Sequence, residues 1–251
     1  MSNLIRGEFY KLRKSKYLIA IILAILAVIF ILPKGFDANM TSMRGSLPEQ
    51  VANGIYSIGY AFAWIPMTSF IFALFAGEFI AKDLKNTMSK SFIYGYKRSK
   101  VILSKLIVFI ISFLFLELIY ITSLCIYASI NYGFCRTLNY STILYLIRVI
   151  GIGIMYSAAT MSIVYMIAII TKSNVCTTIS PFLFMLAMAA LNDKEPTASI
   201  IKFIFPFMSG SEAMARFAPK SVIITGITSS IVIFAVTTLI SILYVKYEDI
   251  K

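Results

Sequence analysis

The sequence predicts an all-α integral membrane protein: six transmembrane helices preceded by an amphipathic interfacial helix. Three observations carry that prediction. Apolar residues make up 59% of the 251-residue chain and charged ones 14%, where soluble domains run at about 45–50% and about 25%. Mean hydropathy is +0.87, more apolar surface than a soluble fold of this length can hide. The apolar residues also fall in long charge-poor runs of span length, without the two-residue alternation of a barrel strand.

The first run is Tyr17–Leu32, held between Lys16 and Pro33-Lys34. Basic residues ahead of it would also suit a signal peptide, but Pro33-Lys34-Gly35-Phe36-Asp37 offers no small-x-small cleavage site, so an uncleaved span is expected. Tyr56–Ala81 is the second, broken only by Pro66 and containing Glu78. Val101–Ile130 is the third, with Lys105 near its start and Glu117 deep inside. Thr142–Thr171, Asn174–Leu191 and Ser221–Val245 complete the six, so residues 1–251 read as a single six-span domain.

The segments between them are informative too. Within residues 1–16, Ile5, Phe9 and Leu12 share one helical stripe while Arg6, Lys11, Arg13 and Lys14 lie elsewhere. That pattern, which includes Glu8, describes a helix lying in the inner membrane interface. Residues 33–55 read as an outer loop rich in turn formers. In 192–220 the apolar stretch Ile200–Met208 is too short to span, and a re-entrant hairpin packed against protein fits it.

Six spans put both termini on one side, so basic residues orient the bundle. Five lie before the first span, seven in 82–105, and Lys172, Lys246 and Lys251 join them, fifteen in all. The opposite side has eight: Lys34, Arg44, Arg136, Arg148, Lys194, Lys202, Arg216 and Lys220. The fifteen mark the cytoplasm of a bacterial cell membrane. The net charge of +12 is then topology and attraction to lipid headgroups, not nucleic-acid binding.

Several chemistries are excluded by what the chain lacks. It has no histidine, hence no serine–histidine triad and no imidazole metal ligand. Cys125, Cys135 and Cys176 form no CxxC pair, so neither a zinc site nor a disulfide framework is expected. No Gly-x-x-x-x-Gly-Lys-Ser/Thr occurs, so the chain has no nucleotide-binding P-loop. No catalytic residue, metal site or bound cofactor is assigned.

Two features remain as sites. In the loop 82–100, Leu84, Met88 and Phe92 recur every fourth residue, giving a short helix with an apolar stripe between basic faces. It either lies solvated on the headgroups or plugs into a cytoplasmic partner. Glu117 costs on the order of 2.5–3.5 kcal/mol in mid-membrane. It either partners Arg148, Tyr127 or a hydroxyl inside the bundle, or lines a cargo path or dimer contact. The small residues Gly153, Ser157, Ala158 and Ser162 read as close helix packing, and Pro181 as a kink.

Gly77-Glu78-Phe79, Asp83-Leu84-Lys85-Asn86-Thr87, Gly95-Tyr96-Lys97-Arg98-Ser99-Lys100 and Leu103-Ser104-Lys105 resemble the inner loop of ABC exporter permeases of the ABC-2 membrane family. Asn86 stands where that family often has glycine. Glu8-Phe9-Tyr10-Lys11-Leu12-Arg13-Lys14-Ser15-Lys16 is similar to the family's amphipathic start. The resemblance implies a non-catalytic permease subunit, paired with a second copy or a homologue and docked on two cytoplasmic ATPases that bind the ATP and Mg. It makes the loop a coupling helix, with Leu84, Thr87, Met88, Phe92 and Arg98 at the ATPase, and Ile5, Glu8, Phe9 and Leu12 in the interfacial helix. Short basic members of this kind resemble exporters of amphipathic peptides such as lantibiotics and peptide toxins. The alternatives are a membrane sensor or scaffold, a permease for lipid, glycan or drug, and an intramembrane enzyme built on Glu117.

The topology is testable directly. A cysteine at position 46 should react with a membrane-impermeant reagent applied from outside, and one at position 89 should not; the reverse pattern would overturn the orientation.

Overall fold

A computed structural model describes residues 2–43, 54–86, 96–135, 139–191 and 203–247. Within them every regular element is a helix: α1 (Ser2–Lys14), α2 (Lys16–Met43), α3 (Gly54–Ala63), α4 (Ile65–Ala76), a π-helical turn Gly77–Ala81, α5 (Lys82–Asn86), α6 (Arg98–Tyr132), α7 (Tyr140–Thr171), α8 (Asn174–Leu191), α9 (Pro206–Ala213) and α10 (Lys220–Tyr247). Five stretches are long and apolar enough to cross a membrane, namely Lys16–Thr41, Ile65–Leu84, Arg98–Tyr132, Tyr140–Thr171 and Lys220–Tyr247. The chain is a multi-pass membrane protein. The fifth expected span, α8, has 18 residues, about 27 Å at 1.5 Å per residue, and its apolar part ends at Ala187. It falls just short of the roughly 30 Å hydrocarbon core.

Two boundaries differ from the sequence reading. Instead of ending at Leu32, α2 runs through Pro33 to Met43. The reason is packing: Leu32, Phe36 and Met40 are buried, Phe36 lies edge-on to Tyr60 and Tyr132, and Asp37 accepts hydrogen bonds from Tyr127 (2.6 Å) and Tyr132 (2.8 Å). The loop expected from residue 33 therefore cannot begin before Met43, three turns further along. The second expected span is divided at Trp64, which has helical but turn-like torsions before Pro66. Proline has no N–H and its ring crowds the carbonyl four residues earlier, here that of Phe62. Thr87, Met88 and Phe92 of the expected coupling loop, and residues 192–202 of the expected re-entrant segment, lie outside the described residues.

Short side-chain caps sharpen two of the junctions. Ser15 Oγ accepts from Tyr17 N–H at the start of α2, and Ser173 Oγ accepts from Cys176 N–H at the start of α8. Each satisfies a first-turn donor that the helix itself cannot. Lys172, with φ +48°, supplies the left-handed residue that ends α7.

α6 is the central column. It packs against α1, α2, α3, α7 and α10, and its 35 residues extend about 52 Å. Phe113 lies edge-on to Phe72, and Phe109 stacks on Phe75 and tilts against Tyr165. Lipid offers no hydrogen bonds, so polar groups find partners inside. Tyr165 donates to the Ile102 carbonyl at 2.6 Å, and Ser162 and Thr237 join α7 to α10 at 2.7 Å. Other hydroxyls, such as those of Ser104, Ser112, Ser230 and Ser241, donate to their own helix.

Gly153 shows how tightly α7 meets α3. A Cβ there would come within 2.6 Å of the Phe62 ring, while one at Gly151 would meet nothing within 4 Å. Gly153→Ala should therefore destabilise the protein by about 1–3 kcal/mol through overpacking. Gly151→Ala should gain about 0.4–1 kcal/mol from reduced unfolded-chain freedom. Thermal unfolding in detergent compares the pair, and equal shifts would contradict this contact.

Candidate functional site at the basic end of the bundle

The stripe that α1 turns inward is Leu4, Ile5, Glu8, Phe9 and Leu12. The apolar members pack on the core and Glu8 is only 4% exposed. α1 thus lies on α6, with Arg6, Tyr10, Arg13 and Lys14 on its free face. This modifies the expected interfacial helix, whose apolar stripe is covered by protein, not lipid.

Facing Glu8 is Lys105, two turns into α6 and 1% exposed. Its ammonium donates to Glu8 Oε2 at 2.9 Å and to Asp83 Oδ2 on α5. Lys11 donates to Glu8 Oε1 at 3.1 Å and lies 3.6 Å from Asp83. Two acids and two lysines make a neutral cluster, the condition for holding charge away from water. Burial works against the Lys11 ammonium, yet Glu8 and Asp83 outweigh it, and its pKa stands above the ordinary lysine value. One side chain thereby ties α1, α5 and α6 together.

A second polar group sits beside it. Glu78, in the π-helical turn, accepts from Asn174 Nδ2 at 2.7 Å and from Lys82 Nζ at 2.9 Å. Lys82 also donates to the Tyr17 hydroxyl at 3.2 Å. Gly77 is required here, because a Cβ would overlap the Asn174 amide. The π-turn adds a residue to the helical register, and it falls where the span leaves its aromatic column for the charged cluster. Through Glu78 the π-helical turn is tied to the first residue of α8.

The expected coupling residues divide around this site. Leu84 is 7% exposed and belongs to the core, so it fastens α5 to the bundle. Arg98 begins α6 and its Nη1 donates to the Val245 carbonyl at 3.2 Å, near the end of α10 where a cation suits the unpaired carbonyls. The chain leaves the described residues after Asn86 and re-enters at Tyr96, so both roots of the loop are held by this end of the bundle.

Glu117 stands apart, about 18 Å further along α6. It is 1% exposed and its Oε1 accepts from Ser157 (2.9 Å) and Tyr120 (3.4 Å). Of the partners considered from sequence, a hydroxyl is present. Arg148 instead donates to the Ala215 and Arg216 carbonyls, and Tyr127 donates to Asp37. The Tyr156 hydroxyl is buried without a partner among the described residues. Among the described residues no group of histidine, cysteine, aspartate and glutamate is placed to hold a metal ion.

Sequence reasoning missed the Glu8–Lys105–Asp83 cluster, though its signal was present. Lys105 lies inside an apolar run, and Glu8 is an acid on the apolar stripe of an amphipathic helix. Two opposite charges, each in the wrong solvent alone, point to each other.

Residues 4–189 match the ABC-2 family transporter protein family. No curated protein matches the chain significantly.

Removing Lys105 leaves the buried Glu8 and the half-buried Asp83 with one partly exposed lysine. Lys105→Met should cost about 3–5 kcal/mol, the usual penalty for orphaning a buried charge. Adding Glu8→Gln should recover part of it. Thermal unfolding of the wild type, the two single variants and the double variant tests this, and additive losses would show that the residues are not coupled.

Proposed function

Because the chain belongs to the ABC-2 family of transporter proteins, membrane permease subunits of ABC transporters, we propose that it is the permease of an ATP-driven exporter for an amphipathic or hydrophobic peptide. Hydrolysis takes place on two cytoplasmic ATPase subunits, which hold the ATP and Mg. A second permease copy or a homologue completes the path. The basic end is cytoplasmic, in keeping with the fifteen-to-eight distribution of Lys and Arg. α8 serves as the fifth of six spans despite its length, since bilayers thin locally around short helices. α9, buried at Pro206, Ser209, Gly210 and Ala213, serves as the inner arm of a re-entrant segment.

One observation carries the coupling mechanism: Lys105 joins α1, α5 and α6 at the root of the loop. Force applied to Met88 and Phe92 by a closing ATPase reaches α5 first. The buried ion pairs pass it to α1 and α6 together, so the end moves as one body and tilts the spans around a path between two permeases. A peptide cargo is preferred to a glycan or other polymer because the chain has no sizeable polar insert to recognise one.

The docking role is tested on purified complexes. Met88→Asp or Phe92→Asp should release the ATPase or uncouple hydrolysis, because an apolar anchor contributes about 2 kcal/mol or more to an interface. Lys90→Ala should have a small effect that weakens with salt. Retention of normal coupled turnover by both aspartate variants would refute the docking role. Deleting the gene together with its ATPase should raise sensitivity to amphipathic peptides or abolish a secreted one. Unchanged phenotypes, with sensitivity to other drugs instead, would refute the peptide assignment alone.

A further inference from the structure

At the end of the bundle opposite the charged cluster, two arginines share one tyrosine. Tyr145 and Arg148 lie one turn apart on α7, and Arg216 lies in the turn between α9 and α10. The Arg148 and Arg216 guanidinium carbons are 5.4 and 5.9 Å from the centre of the Tyr145 ring, within the range of cation–π attraction. Arg148 Nη2 donates to the carbonyls of Ala215 (2.6 Å) and Arg216 (3.1 Å). Its plane is thus fixed against the turn that carries the second arginine.

Among the described residues, charge balance at this place is incomplete. None of the ion pairs among the described residues involves either arginine, and Arg148 Nε is buried without an acceptor. Two like charges gathered on one ring repel unless an anion joins them. The basic end of the same molecule shows the contrast, with the buried Lys105 ammonium met by two carboxylates.

Position indicates which anion. α7 has 32 residues, so Arg148 is about 11 Å from its midpoint by a rise of 1.5 Å per residue. That is near the edge of a hydrocarbon core whose half-thickness is about 15 Å, and an arginine there extends its head toward the phosphate layer. The neighbouring Phe217 is 86% exposed and Tyr140 77%, as expected of aromatic anchors at a membrane interface. Planar guanidinium forks match phosphate oxygens in pairs.

We propose that Arg148 and Arg216, arranged on Tyr145, form a binding site for a phosphate group, supplied by an anionic lipid headgroup at this face of the membrane. The lipid bridges α7 to the α9–α10 turn and neutralises the pair.

The full-length protein in nanodiscs containing phosphatidylglycerol and phosphatidylcholine provides the test, read by native mass spectrometry and by thermal stability. Phosphatidylglycerol should be retained preferentially. Arg216→Gln should weaken that preference about fivefold, the usual effect of one basic residue near an anionic membrane. Among the described residues its side chain makes no hydrogen bond, so this variant stays folded even if Arg148→Gln does not. Stabilisation by phosphatidylglycerol but not by inorganic phosphate assigns the site to lipid, and stabilisation by both supports the phosphate chemistry from either source. Equal retention of the two lipids, or unchanged preference in Arg216→Gln, would overturn the site.

Discussion

The buried ammonium of Lys105, held between Glu8 and Asp83, is the interaction on which the basic end depends. An unpaired lysine at that depth would be several kcal/mol out of place. Its pairing sets where α1 docks, how α5 lies, and where α6 starts. α1 and α5 are 13 and 5 residues long, too short to be stable helices alone. They are helices here because the bundle gives their inward faces something to bind.

The same logic orders the other polar groups. In lipid a helix satisfies its backbone internally, and side-chain donors must either bond their own helix or a neighbour. Most hydroxyls do the first. Among the exceptions are contacts that fix helix pairs: Tyr165 to Ile102, Ser162 to Thr237, Tyr127 and Tyr132 to Asp37, Ser157 to Glu117, and Tyr244 to Ile170. The apolar surface supplies span and insertion, and these few bonds supply the register between spans. For a transporter that must move without falling apart, such contacts suit the purpose, since each has modest strength and can be exchanged.

Hydropathy alone located α6, α7 and α10 to within a few residues, because long apolar runs have no other stable state in a membrane. It failed where polarity was misread as exposure. Pro33, Lys34, Asp37 and Asn39 looked like a loop, yet Asp37 is the acceptor for two tyrosines from α6, a pairing no local pattern shows. Pro66 was visible, but the division at Trp64 depends on its ring and not on hydropathy. The charged site was legible only in part: Glu8, Asp83 and Lys105 stood out as motif residues, while their meeting joins positions 97 and 22 residues apart. Glu117 was recognised as costly, and its hydroxyl partners could be narrowed only once α7 was laid against α6.

α6 contains neither glycine nor proline from Arg98 to Tyr132, so it has none of the usual means of bending sharply. It is latched to α1 and α5 at Lys105, to α7 at Glu117, and to α2 at Tyr127. These heights are separated by about 18 Å and about 15 Å on a rise of 1.5 Å per residue. A rigid rod pivoting about its middle latch swings its two ends in opposite senses. A tilt of about 5° over such arms displaces each end latch by roughly 1.5 Å, enough to take a 2.6–2.9 Å hydrogen bond beyond bonding range. The two ends of α6 are therefore geared: when α1 and α5 swing with the rod at the charges, the tyrosine end swings the opposite way, and Asp37 of α2 must follow it or release it.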